Sequence, residues 1–133
     1  MVQSHGYSGT PLFKKLGMKP GMRCLTIRAP GHYLDLIAGA EDVHISSRFR
    51  RADIVHLFCK NQKTFESLAV KSLARVADGG MLWVSWPKKS SPMHIDLTED
   101  DLRRTLLPTG WVDVKVCAVD ADWSGLKFLR RKQ

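Results

Sequence analysis

Lys19-Pro20-Gly21-Met22-Arg23-Cys24-Leu25-Thr26-Ile27 is a turn that runs straight into a mainly apolar strand. Pro20-Gly21 sets the turn. An apolar run of this length, bounded by turn residues and without strict alternation, predicts a strand buried on both faces. Pro30-Gly31 breaks it, and Tyr33 to Ala38 then supplies two helical turns before Gly39. Strand, break and helix in that order open a wound α/β sheet, and the rest of the chain continues the alternation.

Upstream, residues 1–9 read as a flexible lead. Thr10 is a good N-cap, Pro11 occupies the first helical position, and Leu12, Phe13 and Leu16 share one face of a short helix closed by Gly17. Downstream, Val43-His44-Ile45 is a minimal strand and Asp53 to Phe58 a stronger one. Between Asn61 and Ala77 the positions Phe65, Leu68, Ala69, Leu73 and Val76 recur at helical spacing. Asp78-Gly79-Gly80 stops that helix and releases the strand Met81 to Ser85. After a loop over Trp86 to Ile95, Thr98 caps another helix whose first turn is acidic (Glu99, Asp100, Asp101), with Leu97 and Leu102 spaced as a hydrophobic staple. Trp111 to Val119 and Trp123 to Leu129, joined at Asp120-Ala121-Asp122, form an antiparallel hairpin. The expectation is a single α/β domain over residues 1–133: a doubly wound, mostly parallel sheet ending in that hairpin.

Composition narrows the function classes. With 133 residues, 44% hydrophobic and 26% charged, the chain is long enough for one real core and is neither disordered nor fibrous. No apolar run reaches membrane-spanning length, and the first residues have no signal-peptide pattern, so a cytoplasmic protein is expected. Three widely spaced cysteines (Cys24, Cys59, Cys117) make no metal-ligand or disulfide pattern. The net charge of +8 favours anionic partners: phosphorylated ligands, nucleic acid or an acidic protein surface. The basic residues fall in scattered pairs, however, so solvated surface charge is the simpler account of most of them.

Several stretches carry a resemblance. Lys19 to Leu25 resembles the approach to the first strand of S-adenosylmethionine-dependent methyltransferases, and Ala77 to Val84 resembles the approach to their fifth strand. Gly110-Trp111 resembles the opening of their last hairpin. More closely, Gly6 to Pro11, Leu82 to Lys89 and Asp113 to Asp120 resemble a family of short bacterial proteins known only as a domain of unknown function. The resemblance implies a methyltransferase-like sheet shortened by one edge strand, in the order 2-1-3-4-6-5 with the last strand antiparallel. The connector Ser46 to Ala52 must then cross the first strand, a diagonal of about 19 Å. An extended heptapeptide reaches about 23–25 Å, which leaves no room for a helix.

In a doubly wound sheet, ligands bind beyond the carboxyl ends of the strands at the topological switch point. That places the candidate ligand site at Arg28, Pro30, Gly31, His32, Cys59, Lys60, Trp86, Lys88 and Lys89. The methyltransferase resemblance implies several glycines in the first loop and a carboxylate ending the second strand. Here the loop has Gly31 alone, and the strand ends in Ile45-Ser46-Ser47-Arg48 without an acid. The expectation is therefore a non-catalytic, methyltransferase-like binding or regulatory domain with no cofactor, accepting an anionic small molecule or a partner peptide. A minimal S-adenosylmethionine-dependent methyltransferase with an altered loop is the alternative, and a nucleic-acid accessory protein the second, although no nucleic-acid module is present. Cys59 and His32 could face one another as a thiolate dyad, but a lone strand-end cysteine is usually packing. His56 reads as a satisfied core histidine. Trp83, Trp111 and Trp123 read as core aromatics, and Trp86 as a pocket wall.

Overall fold

A computed structural model describes residues 9–132; most of the expected flexible lead lies outside them. The elements run α1 (Leu12–Lys15), β1 (Arg23–Ile27), α2 (Tyr33–Leu36), β2 (His44–Ser46), β3 (Ala52–Phe58), α3 (Gln62–Leu73), β4 (Val76–Pro87), α4 (Glu99–Leu106), β5 (Trp111–Ala118) and β6 (Trp123–Arg130). One six-stranded sheet has the order β2-β1-β3-β4-β6-β5. β1 pairs in parallel with β2 and β3, β3 in parallel with β4, and β6 runs antiparallel between β4 and β5. This is the doubly wound, mostly parallel sheet with a closing hairpin that the alternation of elements predicts, and the connector from β2 to β3 carries no helix.

Strand alternation sends successive side chains to opposite faces. Val55 and Leu57 of β3, Leu82 and Val84 of β4, and Leu126 and Phe128 of β6 pack with Phe65, Ala69, Leu102 and Leu106 from α3 and α4. Ile54 and Phe58 of β3, Cys24 of β1 and Trp83 of β4 pack on the other face with Leu16, Tyr33 and Ile37. Trp83 is fully buried, and its indole N–H donates to the Leu16 carbonyl at 3.0 Å, so its polar edge is satisfied. α4 begins on a capping box: the Asp101 amide donates to Thr98 Oγ1, and the Thr98 amide to Asp101 Oδ2. Such a cap contributes about 1 kcal/mol.

Several boundaries differ from expectation: β4 runs on through Trp86 and Pro87, and α2 ends at Leu36. α3 stops at Leu73, and Val76 begins β4, so the helical spacing of Val76 is coincidental. Val76 pairs with Ala52, the register then jumps to Ile54 opposite Met81, and the extra residues of β4 are absorbed between. Gly80 lies in that irregularity against β3, where a Cβ would come within 2.6 Å of the Asp53 carbonyl oxygen. At the start of the chain, Pro11 rather than Thr10 caps α1, and it makes no side-chain cap bond. No helix among the described residues is long and apolar enough to cross a membrane.

Candidate functional site

The loop leaving β1 turns on Arg28, which has φ 61°. A left-handed conformation costs a non-glycine residue about 1 kcal/mol. The chain therefore makes the turn after the first strand with an arginine where glycine would be free of strain. Three residues on, nothing lies within 4 Å of where a Gly31 Cβ would project, so the backbone there is open.

A cleft of 310 Å³ lies at the carboxyl ends of β1 and β3. Arg28, Pro30, His32 and Lys60 contribute to its walls, with Phe58 and Trp123 bringing aromatic surface from the core. Those two rings meet edge to face at 5.0 Å. The cleft thus joins cationic side chains to a well-packed aromatic base.

Its walls are held by the turn between β5 and β6. Asp120 Oδ1 accepts the backbone amides of Asp122 and Trp123, both at 2.8 Å, while Oδ2 accepts from His32 Nε2 at 3.2 Å. Asp122 Oδ1 accepts the Ser91 hydroxyl at 2.9 Å, and its carbonyl accepts the Lys88 amide at 2.8 Å. Two aspartates, with one spacer between them, staple the loop after β1 and the loop after β4 to the same turn. Sequence reasoning recognised the turn but not these side-chain partners, which lie 88 and 31 residues away.

The nine candidate residues separate. Arg28, Pro30, His32 and Lys60 line the cleft, with Gly31 in the same loop. Trp86, Lys88 and Lys89 border a different cavity of 410 Å³ beside the first turn of α4. Trp86 is mostly core, because its position in β4 directs it to the α3/α4 face. Cys59 is buried on that face as well, and burial pushes its thiol up to about 12 despite the nearby Arg28. The thiolate dyad is thereby corrected: Cys59 is held as a neutral thiol in the apolar core, and His32 pairs instead with Asp120.

His56 is the satisfied core histidine its position suggests. It is fully buried, with Nδ1 2.9 Å from the Tyr33 hydroxyl and Nε2 2.7 Å from Ser85 Oγ. Burial lowers its pKa to about 3, so the ring is neutral. A consistent assignment has the tyrosine donating to Nδ1 and Nε2–H donating to the serine. Cys24 Sγ lies 3.7 Å from the same tyrosine oxygen. Tyr33 opens α2 directly after His32, so this buried chain ties the cleft loop to β3 and β4.

No family model and no curated protein matches the chain. Solved structures do. An S-adenosylmethionine-dependent methyltransferase from Aquifex aeolicus is 17% identical, with a TM-score of 0.57 over 88% of this chain and 86% of its own. Magnesium protoporphyrin IX methyltransferase from Synechocystis PCC 6803, solved with S-adenosylmethionine bound, is 10% identical, with a TM-score of 0.59 over 90% of this chain and 74% of its own. A glycopeptide N-methyltransferase is 10% identical, with a TM-score of 0.59 over 90% and 88%.

These neighbours overturn two expectations, that the domain is non-catalytic and that it has no cofactor. The physical reason lies in the loop after β1, where a scarcity of glycine does not prevent the turn, since Arg28 adopts the left-handed conformation itself. What the likeness establishes at these identities is the architecture: the chain has a methyltransferase-like Rossmann fold.

Proposed function

We propose that this chain is a minimal S-adenosylmethionine-dependent methyltransferase, with the cofactor held at the carboxyl ends of β1 and β3. The observation that carries this reading is the cleft itself, which Arg28 and Lys60 line together with Phe58 and Trp123. The cofactor is a zwitterion with a sulfonium centre, and the residues present fit two of its parts. Its carboxylate suits the Arg28 guanidinium and the Lys60 ammonium, since charge-assisted hydrogen bonds contribute about 1.5–3 kcal/mol each. Its sulfonium suits the aromatic surface of Phe58 and Trp123. At the ribose the end of β2 offers no carboxylate: it closes on Ser46, whose hydroxyl accepts the Arg48 amide.

When bound, the cofactor supplies an electrophilic methyl group. The chain's own residues bind and orient it. Asp120 and Asp122 fix the two loops that border it, and the buried Phe58–Trp123 contact keeps water from the base of the cleft. A cytoplasmic site of action and kinship with the short bacterial family belong to the same proposal. The three cysteines are free and buried, as suits a reducing compartment.

Thermal melting with S-adenosylmethionine and S-adenosylhomocysteine tests the reading. At about 100 times Kd, binding adds about 2.7 kcal/mol. For a domain of this size that is a rise of roughly 10 °C. No rise with either compound at millimolar concentration overturns the proposal.

A further inference from the structure

The connector from β2 to β3 must cross β1, and it does so without a helix to cover that strand. A groove of 310 Å³ remains there, lined by Leu25 and Ile27 of β1 and by Leu68 of α3. Its charged lining is all of one sign: Arg28, Lys71 and Arg75, with no carboxylate among them. Arg75, just after α3, anchors the connector, since its Nε and Nη2 donate to the carbonyls of Arg50 and Phe49. Arg51 Nη2 donates in turn to the Val76 carbonyl at 3.2 Å. Ser47 of the connector lines the groove, and the exposed Arg48 and Arg50 follow it in the same anchored segment. Among the described residues, the one carboxylate within 4 Å of any of these cationic groups is Asp78, 3.8 Å from Arg51 and itself fully exposed.

We propose that this groove and the arginines of the connector bind a single-stranded nucleic acid through its phosphates. A lone phosphorylated molecule would be served by Arg28, Lys71 and Arg75. The cations continue along the connector, however, and a run of them matches an anion that repeats. Five of the six are arginines, whose planar fork takes phosphate oxygens two at a time. The apolar lining suits the sugar and base faces between phosphates. A volume of 310 Å³ is at the low end for a small-molecule pocket, enough for a nucleotide of one strand and not for a duplex. The apolar side chains are also recessed, with Leu25 buried and Ile27 and Leu68 half-buried, whereas a membrane-binding face presents such side chains outward. Binding here does not require the methyltransferase reading. Arg28 lines both the groove and the cofactor cleft, so a strand in the one lies against the border of the other.

The test is fluorescence anisotropy of a short labelled oligouridylate with the intact protein and no cofactor, so failure of the methyltransferase reading leaves it unaffected. With about four phosphates neutralised, affinity should fall roughly fiftyfold between about 50 and 200 mM salt. The pair Arg48→Gln and Lys71→Gln, both at exposed positions, should weaken binding at least about tenfold and roughly halve the salt dependence. An unchanged melting curve shows that the fold is kept. Lys88→Gln with Lys89→Gln removes the same net charge beside the separate 410 Å³ cavity and should leave affinity within about twofold. Equal weakening by the two pairs overturns the groove, because net charge alone would then explain the binding. No saturable binding at about 50 mM salt overturns the proposal outright. So does tighter binding of a duplex, of polyglutamate or of phosphatidylserine vesicles than of the single strand.

Discussion

The two faces of the sheet are built from alternate residues of the same strands, yet they differ in kind. On the face covered by α3 and α4, β3 contributes Val55 and Leu57, β4 contributes Leu82 and Val84, and the core there is apolar. On the face covered by α1 and α2, the same strands contribute His56 and Ser85, joined through Tyr33 to the loop that forms the cleft. The first face contributes stability through area removed from water. The second gives up part of that gain to hold a polar chain whose geometry is directional, and direction is what a binding loop needs. Stability and site geometry are thereby assigned to opposite sides of one sheet.

The assignment can be broken by substitution. Phe65→Ala, on the apolar face, should cost about 3–5 kcal/mol in a denaturant titration. S-adenosylhomocysteine affinity per folded molecule should stay unchanged; a loss of affinity would show that the faces are not separate. His56→Leu leaves the Tyr33 and Ser85 hydroxyls without this partner, at a cost of about 2–4 kcal/mol. Because Tyr33 follows His32, the same change should lower S-adenosylhomocysteine affinity about fivefold, or about 1 kcal/mol. It should also erase a pH dependence. His56 has its pKa lowered from 6.5 to about 3 by burial, so below pH 6.5 the unfolded chain takes up a proton that the folded one refuses. Stability contributed by this group is complete above 6.5 and falls by about 1.4 kcal/mol per pH unit towards 3. Denaturant titrations at pH 6.5 and pH 5 should differ by about 2 kcal/mol through this group, and the contribution should vanish in His56→Leu.

The smallest effect sharpens the comparison at the loop itself. Arg28→Gly removes the left-handed strain and should raise stability by about 0.5–1 kcal/mol. It also removes the guanidinium, so S-adenosylhomocysteine affinity should fall about tenfold. A variant that gains stability without losing affinity would free Arg28 from any part in the site.

Much of the fold was legible because its signals are local. The turn at Pro20-Gly21 fixed the start of β1, and the Thr98–Asp101 pattern fixed the start of α4. The junction of α3 with β4 was not, because Val76 fits helical spacing and only its pairing with Ala52 across the sheet makes it strand. For the site, sequence order placed the loop after β1 correctly at the switch point but said nothing of what faces it. Lys88 and Lys89 were grouped with Lys60 because all follow strand ends, yet the loop after β4 carries them to a separate cavity beside α4. Cys59 and Trp86 turn away from the cleft for a simpler reason: alternation along β3 and β4 points both towards the α3/α4 core. The His32–Asp120 pair spans 88 residues, and no local pattern reports such a contact.

That long span bears on the order in which the molecule is assembled. The loop after β1 is synthesised early, but the aspartates that hold it in place arrive only with the turn between the last two strands. Closing so distant a contact pays its chain entropy before the contact returns anything, which makes it a late event in folding. The core on α3 waits for the same hairpin, because Leu126 and Phe128 of β6 are part of it. The last two strands therefore complete the core and the cleft wall together, through Leu126 and Phe128 in the one and Trp123 in the other.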